Sequence, residues 1–216
     1  MAFSERHTVA GFAADALGAL TQEQVSFIQT LPKAELHAHL NGSIPIPLLR
    51  ELAREHLASN DRNADGDAET RAGLEMLQNG TINMNTIDDF FGLFPAIYAI
   101  TSTRSSLARA ARGVLHEFLD SDGDGTAPQC TYMELRTTPR ETSGMSRWEY
   151  LCVVLEEVER YPDSRAALIV SLDRRMGEEV LRECVDIVKR LKEERRRVVG
   201  VDLCGDPMVC ISVLVC

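Results

Sequence analysis

From Cys130 to Cys204 the chain alternates short apolar runs with longer amphipathic ones. Cys130–Thr137, Ala166–Leu172 and Val198–Cys204 read as strands. Trp148–Arg160 and Gly177–Arg196 read as helices. The unit recurs at about 35 residues, enough for a helix to return the chain to the start of a neighbouring strand. Strands joined in this way run parallel, under helices. Ala166–Leu172 is nearly continuously apolar, as expected of a strand covered on both faces. Upstream, Ala34–Leu40 reads as a further strand. Helices are expected over Pro47–Leu57, Ile87–Thr101 and Ser105–Leu119, with Ser59–Glu69 as a polar surface loop. Thr21 is placed to cap a helix that Pro32 ends.

Four strands are half of the eight in a (β/α)8 barrel, a fold of about 250 residues. The chain has 216. The pattern divides it into an N-terminal helical extension at 1–30, a βα body at 31–207 and a C-terminal tail at 208–216. Composition narrows the function classes. Lys and Arg total 23 against 33 Asp and Glu, a net charge of −10. A field of that sign repels nucleic acid and anionic membranes, so neither is expected as a partner. No apolar run approaches the roughly 20 residues of a spanning helix. The N-terminus lacks a signal-peptide core. Six cysteines without a CxxC point to reduced thiols in a cytoplasmic protein rather than a zinc ribbon.

The sharpest chemical signal is GluLeuHisAlaHisLeuAsnGlySer at 35–43. Residues i and i+2 of a strand face the same side, so His37 and His39 project together and can share a metal ion. Buried, hydrogen-bonded histidines would give the same pattern. The position favours function, because barrel enzymes place their sites at the C-terminal ends of strands. The other strands also end in polar residues: Thr137, Thr138, Pro139 and Arg140; then Asp173, Arg174 and Arg175; then Cys204, Gly205, Asp206 and Pro207. Hydroxyls and a forked guanidinium suit a phosphate, although helix caps and surface ion pairs use the same residues. Glu35, Glu134 and Arg136 lie within strands and are expected to form an internal ion-pair network. Asp120, Asp122 and Asp124 imitate the start of a calcium loop, but Thr131 stands where its bidentate Glu belongs. His116 is expected in mid-helix and not as a ligand. The basic run at 189–197 reads as a solvated helix end.

LeuProLysAlaGluLeuHisAlaHisLeuAsnGlySer at 31–43, ThrThrProArg at 137–140 and ValAspLeuCysGlyAspPro at 201–207 together resemble the adenosine/AMP deaminase family. The likeness covers residues 30–207 and is greatest to the adenosine-deaminase-like branch, which deaminates N(6)-methyl-AMP and related purine nucleotides. It implies the N-terminal half of a TIM-type (β/α)8 barrel of the metallo-dependent hydrolase kind. It implies one zinc ion with His37 and His39 as ligands, and a small-molecule purine nucleotide or nucleoside as substrate. His39 and Asn41 would lie near the sugar and base. Thr137, Thr138, Pro139 and Arg140 would hold the 5′-phosphate, Asp173 would touch the substrate, and the Gly205 backbone would face the purine. Tyr98 stands where a His usually contacts the substrate, and Asn41 where the nucleoside-specific branch has Asp. Full-length members are expected to be monomeric. The family's third His ligand, its general-acid Glu and its later His and Asp lie beyond the fourth strand, and this sequence shows none of them. No catalytic residue is therefore assigned, and two readings stand: an aminohydrolase by family, or an inactive fragment that binds nucleotide or a partner.

Overall fold

The structure, a computed structural model, describes residues 11–59, 67–79, 90–121 and 127–205. Asp122, Asp124, Asp206, most of the predicted 59–69 loop and the 208–216 tail lie outside the described residues. Helices α1 (Gly11–Gly18) and α2 (Gln22–Thr30) lead into strand β1 (Ala34–His39), which ends in a single 3₁₀ turn at Leu40–Gly42. Then come α3 (Ile46–Ala58), α4 (Ala68–Asn79), α5 (Phe94–Ile100) and α6 (Arg104–Leu119). The remainder alternates β2 (Tyr132–Thr137), α7 (Arg147–Val158), β3 (Ala166–Asp173), α8 (Glu178–Glu193) and β4 (Val198–Cys204). The four strands form one sheet in the order β1-β2-β3-β4, every neighbouring pair parallel. This is the architecture of half a TIM-type barrel.

Local chemistry sets the helix starts. Thr21, Thr103 and Ser146 cap α2, α6 and α7 with reciprocal capping boxes completed by Gln24, Ser106 and Glu149. Helix α8 carries Glu178 and Glu179 in its first turn and Arg190 and Lys192 in its last, as the helix dipole favours. Leu107, Ala110, Ala111, Val114 and Leu115 bury one face of α6 at helical spacing. With Leu135, Leu151, Leu168 and Val170 they build a single core on one side of the sheet.

Three features depart from the sequence expectations. The segment after the 59–69 loop forms α4, a helix the polar sequence AETRAGLEMLQN does not announce. It buries Leu74 and Leu77, and a Cβ on Gly73 would lie only 2.7 Å from the Ala96 Cβ, so glycine allows α4 and α5 to touch. The helix expected over Ile87–Thr101 is broken by a turn at 92–93: residues 90–91 are helical, α5 follows with Pro95 in its first turn, and residues 87–89 lie outside the described residues. The basic run at 189–197 is not simply solvated. Arg190 lies 3.8 Å from the Trp148 ring centroid, Arg196 pairs with Glu159, and Arg197 donates to the Tyr161 and Ala166 carbonyls at 2.6 and 3.2 Å.

Strand β4 is poorly covered on its helix-facing side. Val201 and Leu203 pair with Val170 and Leu172 and so share their helix-facing side, yet they are 46% and 41% exposed. Among the described residues no helix is long and apolar enough to cross a membrane.

Candidate active site

Opposite the helices, the sheet presents polar side chains toward its C-terminal edge. Strand β1 reaches this edge irregularly: its register with β2 shifts between Glu35 and Ala38. Such a bulge inserts a residue and re-aims the side chains around it. Simple alternation, which predicts the two histidines side by side, is therefore interrupted. The rings nevertheless meet, with centroids 5.3 Å apart. The Glu35 carboxylate accepts the His37 backbone N–H at 2.7 Å and fixes the bulge. His37 is exposed and His39 half-buried. Burial lowers the His39 pKa below the ordinary value for histidine, and the nearby Asp202 charge partly offsets this.

The expected Glu35–Glu134–Arg136 network does not form. Arg136 is ion-paired with Asp202 on β4, and it also donates to the Leu36 carbonyl from Nε at 3.1 Å and Nη2 at 2.9 Å. One guanidinium on β2 thus ties β4 to β1. Glu134 instead accepts the Tyr132 hydroxyl at 3.1 Å. Asp202 keeps a second oxygen, Oδ1, buried without a hydrogen bond among the described residues. The donor chemistry around His37 and His39 fits a borderline-soft divalent ion: two imidazoles in contact, one of them favoured neutral by burial, with a carboxylate beside it. Among the described residues no group of three His, Cys, Asp or Glu side chains is placed to hold a metal. Among the described residues these donors fall short of the three protein ligands that a catalytic zinc takes.

The loop after β2 divides its residues between the two sides of the sheet. The Thr137 hydroxyl is buried on the helix side, 2.9 Å from the Tyr150 hydroxyl, so it does not reach the polar edge. Tyr150 is itself buried, and that desolvation pushes its phenol up to about 12. Pro139 is buried as well. Thr138 faces the polar edge, with its Oγ1 3.5 Å from the Cys204 Sγ. The Arg140 guanidinium lies 3.6 Å from the Tyr98 ring centroid. Among the described residues it has no carboxylate partner and no hydrogen-bond acceptor. Burial lowers its pKa, while neighbouring Tyr150 and Tyr98 act the other way.

At the ends of β3 and β4, Asp173 accepts three hydrogen bonds from Arg175, from the backbone N at 2.8 Å, Nε at 3.0 Å and Nη2 at 2.6 Å. These bonds hold the Asp173 carboxyl below the usual range. Gly205 has φ +97°, and a Cβ there would come within 2.8 Å of the Asp173 Oδ1. In the 3₁₀ turn after β1, the Asn41 Oδ1 is buried with no hydrogen-bond partner among the described residues. The strand ends thus bring together Thr138, Arg140, Asp173 and Gly205, joined by Tyr98. Sequence reasoning placed Arg175 at a polar strand end without its pairing to Asp173, and it did not single out Asp202. The signal for Asp202 was a carboxylate alone in the middle of an apolar strand, between Val201 and Leu203.

No family model matches the chain. Known proteins do resemble it. It is 32% identical over 195 residues to the N6-methyl-AMP deaminase of Mus musculus, covering 86% of this chain and 49% of that protein. It is 31% identical over 189 residues to the adenosine deaminase-like protein of Caenorhabditis elegans, covering 86% and 44%. Among solved structures, Arabidopsis ADAL complexed with IMP superposes with a TM-score of 0.65 at 30% identity, covering 85% of this chain and 52% of that one. The adenine deaminase of Arthrobacter aurescens, at 18% identity and TM-score 0.53, shares the fold. The chain spans about half the length of the curated relatives it matches.

Proposed function

From the premise that this chain belongs to the adenosine/AMP deaminase family, in its adenosine-deaminase-like branch, we propose that it carries part of the active site of a zinc-dependent purine-nucleotide aminohydrolase. The observation that carries the reading is the pairing of His37 and His39 on the same polar edge as Arg140, a half-buried cation without a counter-ion among the described residues. His37 and His39 would hold the zinc. When bound, zinc supplies a water acidic enough to attack the purine carbon that bears the amine.

The chain's own residues would do the rest of the binding. Arg140 and the Thr138 hydroxyl meet the 5′-phosphate, because guanidinium–phosphate bonds are charge-assisted and the charge is otherwise unpaired. The free Asn41 Oδ1 accepts from the nucleoside. Asp173, fixed by Arg175, presents a carboxylate in one orientation. Gly205 lets the backbone approach the base where any side chain would strike Asp173. The substrate class is N(6)-methyl-AMP or a related 6-substituted purine monophosphate.

A second reading concerns the 216-residue polypeptide by itself. No His follows His116 and no acidic residue follows Asp206. A third imidazole ligand and a ring-protonating carboxylate are therefore wanting, and general acid–base help is worth about 10²–10⁴ in rate. This polypeptide would bind the nucleotide without turning it over. Incubation with N(6)-methyl-AMP and zinc, followed by the appearance of inosine monophosphate, tests both readings. Binding of N(6)-methyl-AMP with no product supports both. Turnover abolished by His37→Ala would sink the inactive-polypeptide reading. Absence of nucleotide binding, together with zinc binding indifferent to His39→Ala, would sink the functional one.

A further inference from the structure

Arg136, Arg140 and Arg175 stand near the polar edge, and their surroundings differ. Arg136 is neutralised by Asp202, and Arg175 by Asp173. Among the described residues Arg140 is held by an aromatic face alone, with its guanidinium carbon 3.6 Å from the Tyr98 ring centroid. A carboxylate that fixes a guanidinium also consumes its charge and its donors. A ring does neither: stacking engages the flat face of the fork and leaves the N–H groups at its edge directed outward. The ring is itself fixed. Tyr98 sits on the last turn of α5, and Phe94 one turn earlier packs edge-on against it with centroids 5.5 Å apart. The Tyr98 phenol is raised above its ordinary value by burial and stays neutral, so it adds no competing negative charge.

We propose that Tyr98 is a positioning residue that holds Arg140 in place, its charge un-neutralised, so that this site selects 5′-monophosphate nucleotides over nucleosides. The proposal rests on the reading of Arg140 as the phosphate contact and adds the element that makes the contact selective. Helix α5 thereby enters the site from outside the strand ends, through one ring and one turn of helix.

Calorimetric titration of the 216-residue protein with AMP and, separately, with adenosine tests this, using Tyr98→Phe, Tyr98→Leu and Arg140→Ala. Tyr98→Phe keeps the ring and should keep the preference for AMP within about twofold. Tyr98→Leu removes the stack and should weaken AMP binding about tenfold, the upper range for a partly desolvated cation–π contact, while adenosine binding is unchanged. Arg140→Ala should make AMP and adenosine equivalent. A merely structural Tyr98 would weaken both ligands together when replaced by Leu, and that result overturns the proposal. So does a Tyr98→Phe variant as weak as Tyr98→Leu, which would assign the effect to the hydroxyl. If the unsubstituted protein does not prefer AMP, the phosphate reading itself fails. If it prefers AMP and Tyr98→Leu still does, only the role of Tyr98 fails.

Discussion

On the helix side of the sheet, Met133, Leu135, Ala166, Leu168 and Val170 are all fully buried, and the polar pair Thr137 with Tyr150 is mutually satisfied. On the opposite side, at the same strand ends, Asn41 Oδ1, Ser171 Oγ and Asp202 Oδ1 are buried without partners among the described residues, and Arg140 has no counter-ion. Buried polar groups normally find partners, and leaving one without costs about 1–3 kcal/mol. The two sides therefore spend free energy differently. One side stabilises the fold, and the other keeps donors and acceptors available for a ligand. A substitution on the first side should show in stability, and one on the second in binding.

The largest expected effect is on the core side. Leu135→Ala should lower the unfolding free energy by about 2–5 kcal/mol, because it opens a cavity at a fully buried position. Denaturant titration checks this; a loss under 1 kcal/mol would show that the sheet packs loosely there. Next, Thr137→Val should cost about 1–3 kcal/mol by orphaning the buried Tyr150 hydroxyl, and adding Tyr150→Phe should restore most of the loss. A double variant as unstable as the single would break the claim that this pair is closed on itself. Gly205→Ala comes third, at about 1–2 kcal/mol, because its φ of +97° disfavours any side chain. This change crosses the division between the sides, since it should also displace Asp173 and weaken nucleotide binding.

The smallest effect depends on pH. Arg175 holds the Asp173 carboxyl below its ordinary value, so the pair contributes stability above the unfolded pKa of about 3.9. That contribution is lost as pH falls through the lowered folded pKa. Arg175 is largely exposed, so the contribution stays within about 1 kcal/mol. Asp173→Asn should lower the melting temperature slightly at neutral pH and by less in strong acid, where the carboxylate becomes protonated. An equal drop at both pH values would assign the loss to packing.

The same division decides how much the sequence makes legible. Strands β2 to β4 and helices α6 to α8 follow from periodicity, because each buries one continuous face and the apolar spacing records it. Helix α4 escapes because its partner is the close approach of Gly73 to Ala96, which no period encodes. On the polar side, the residue types at 37, 39, 138, 140 and 173 mark the strand ends as a site. Their partners do not follow from spacing. The Arg136–Asp202 pair spans two strands and depends on sheet register. The bulge in β1 is fixed by one hydrogen bond to Glu35. The core side of Thr137 follows from a tyrosine 13 residues away on α7.

The sheet register also bears on the order of folding. Strand β2 meets β3 across a short connection, with Met133 beside Ala166, and β3 meets β4 likewise, with Leu168 beside Val198. Strand β1 joins β2 across 98 residues, the separation of the Thr131–Lys33 hydrogen bond. Closing a loop about three times longer costs about 1 kcal/mol more in chain entropy. The strand that carries both histidines should therefore be recruited last and released first. Its amides should exchange with solvent by a partial opening that leaves β2, β3 and β4 paired. A metal ion bound at His37 and His39 would act on this opening, slowing exchange in β1 before it raises the stability of the whole.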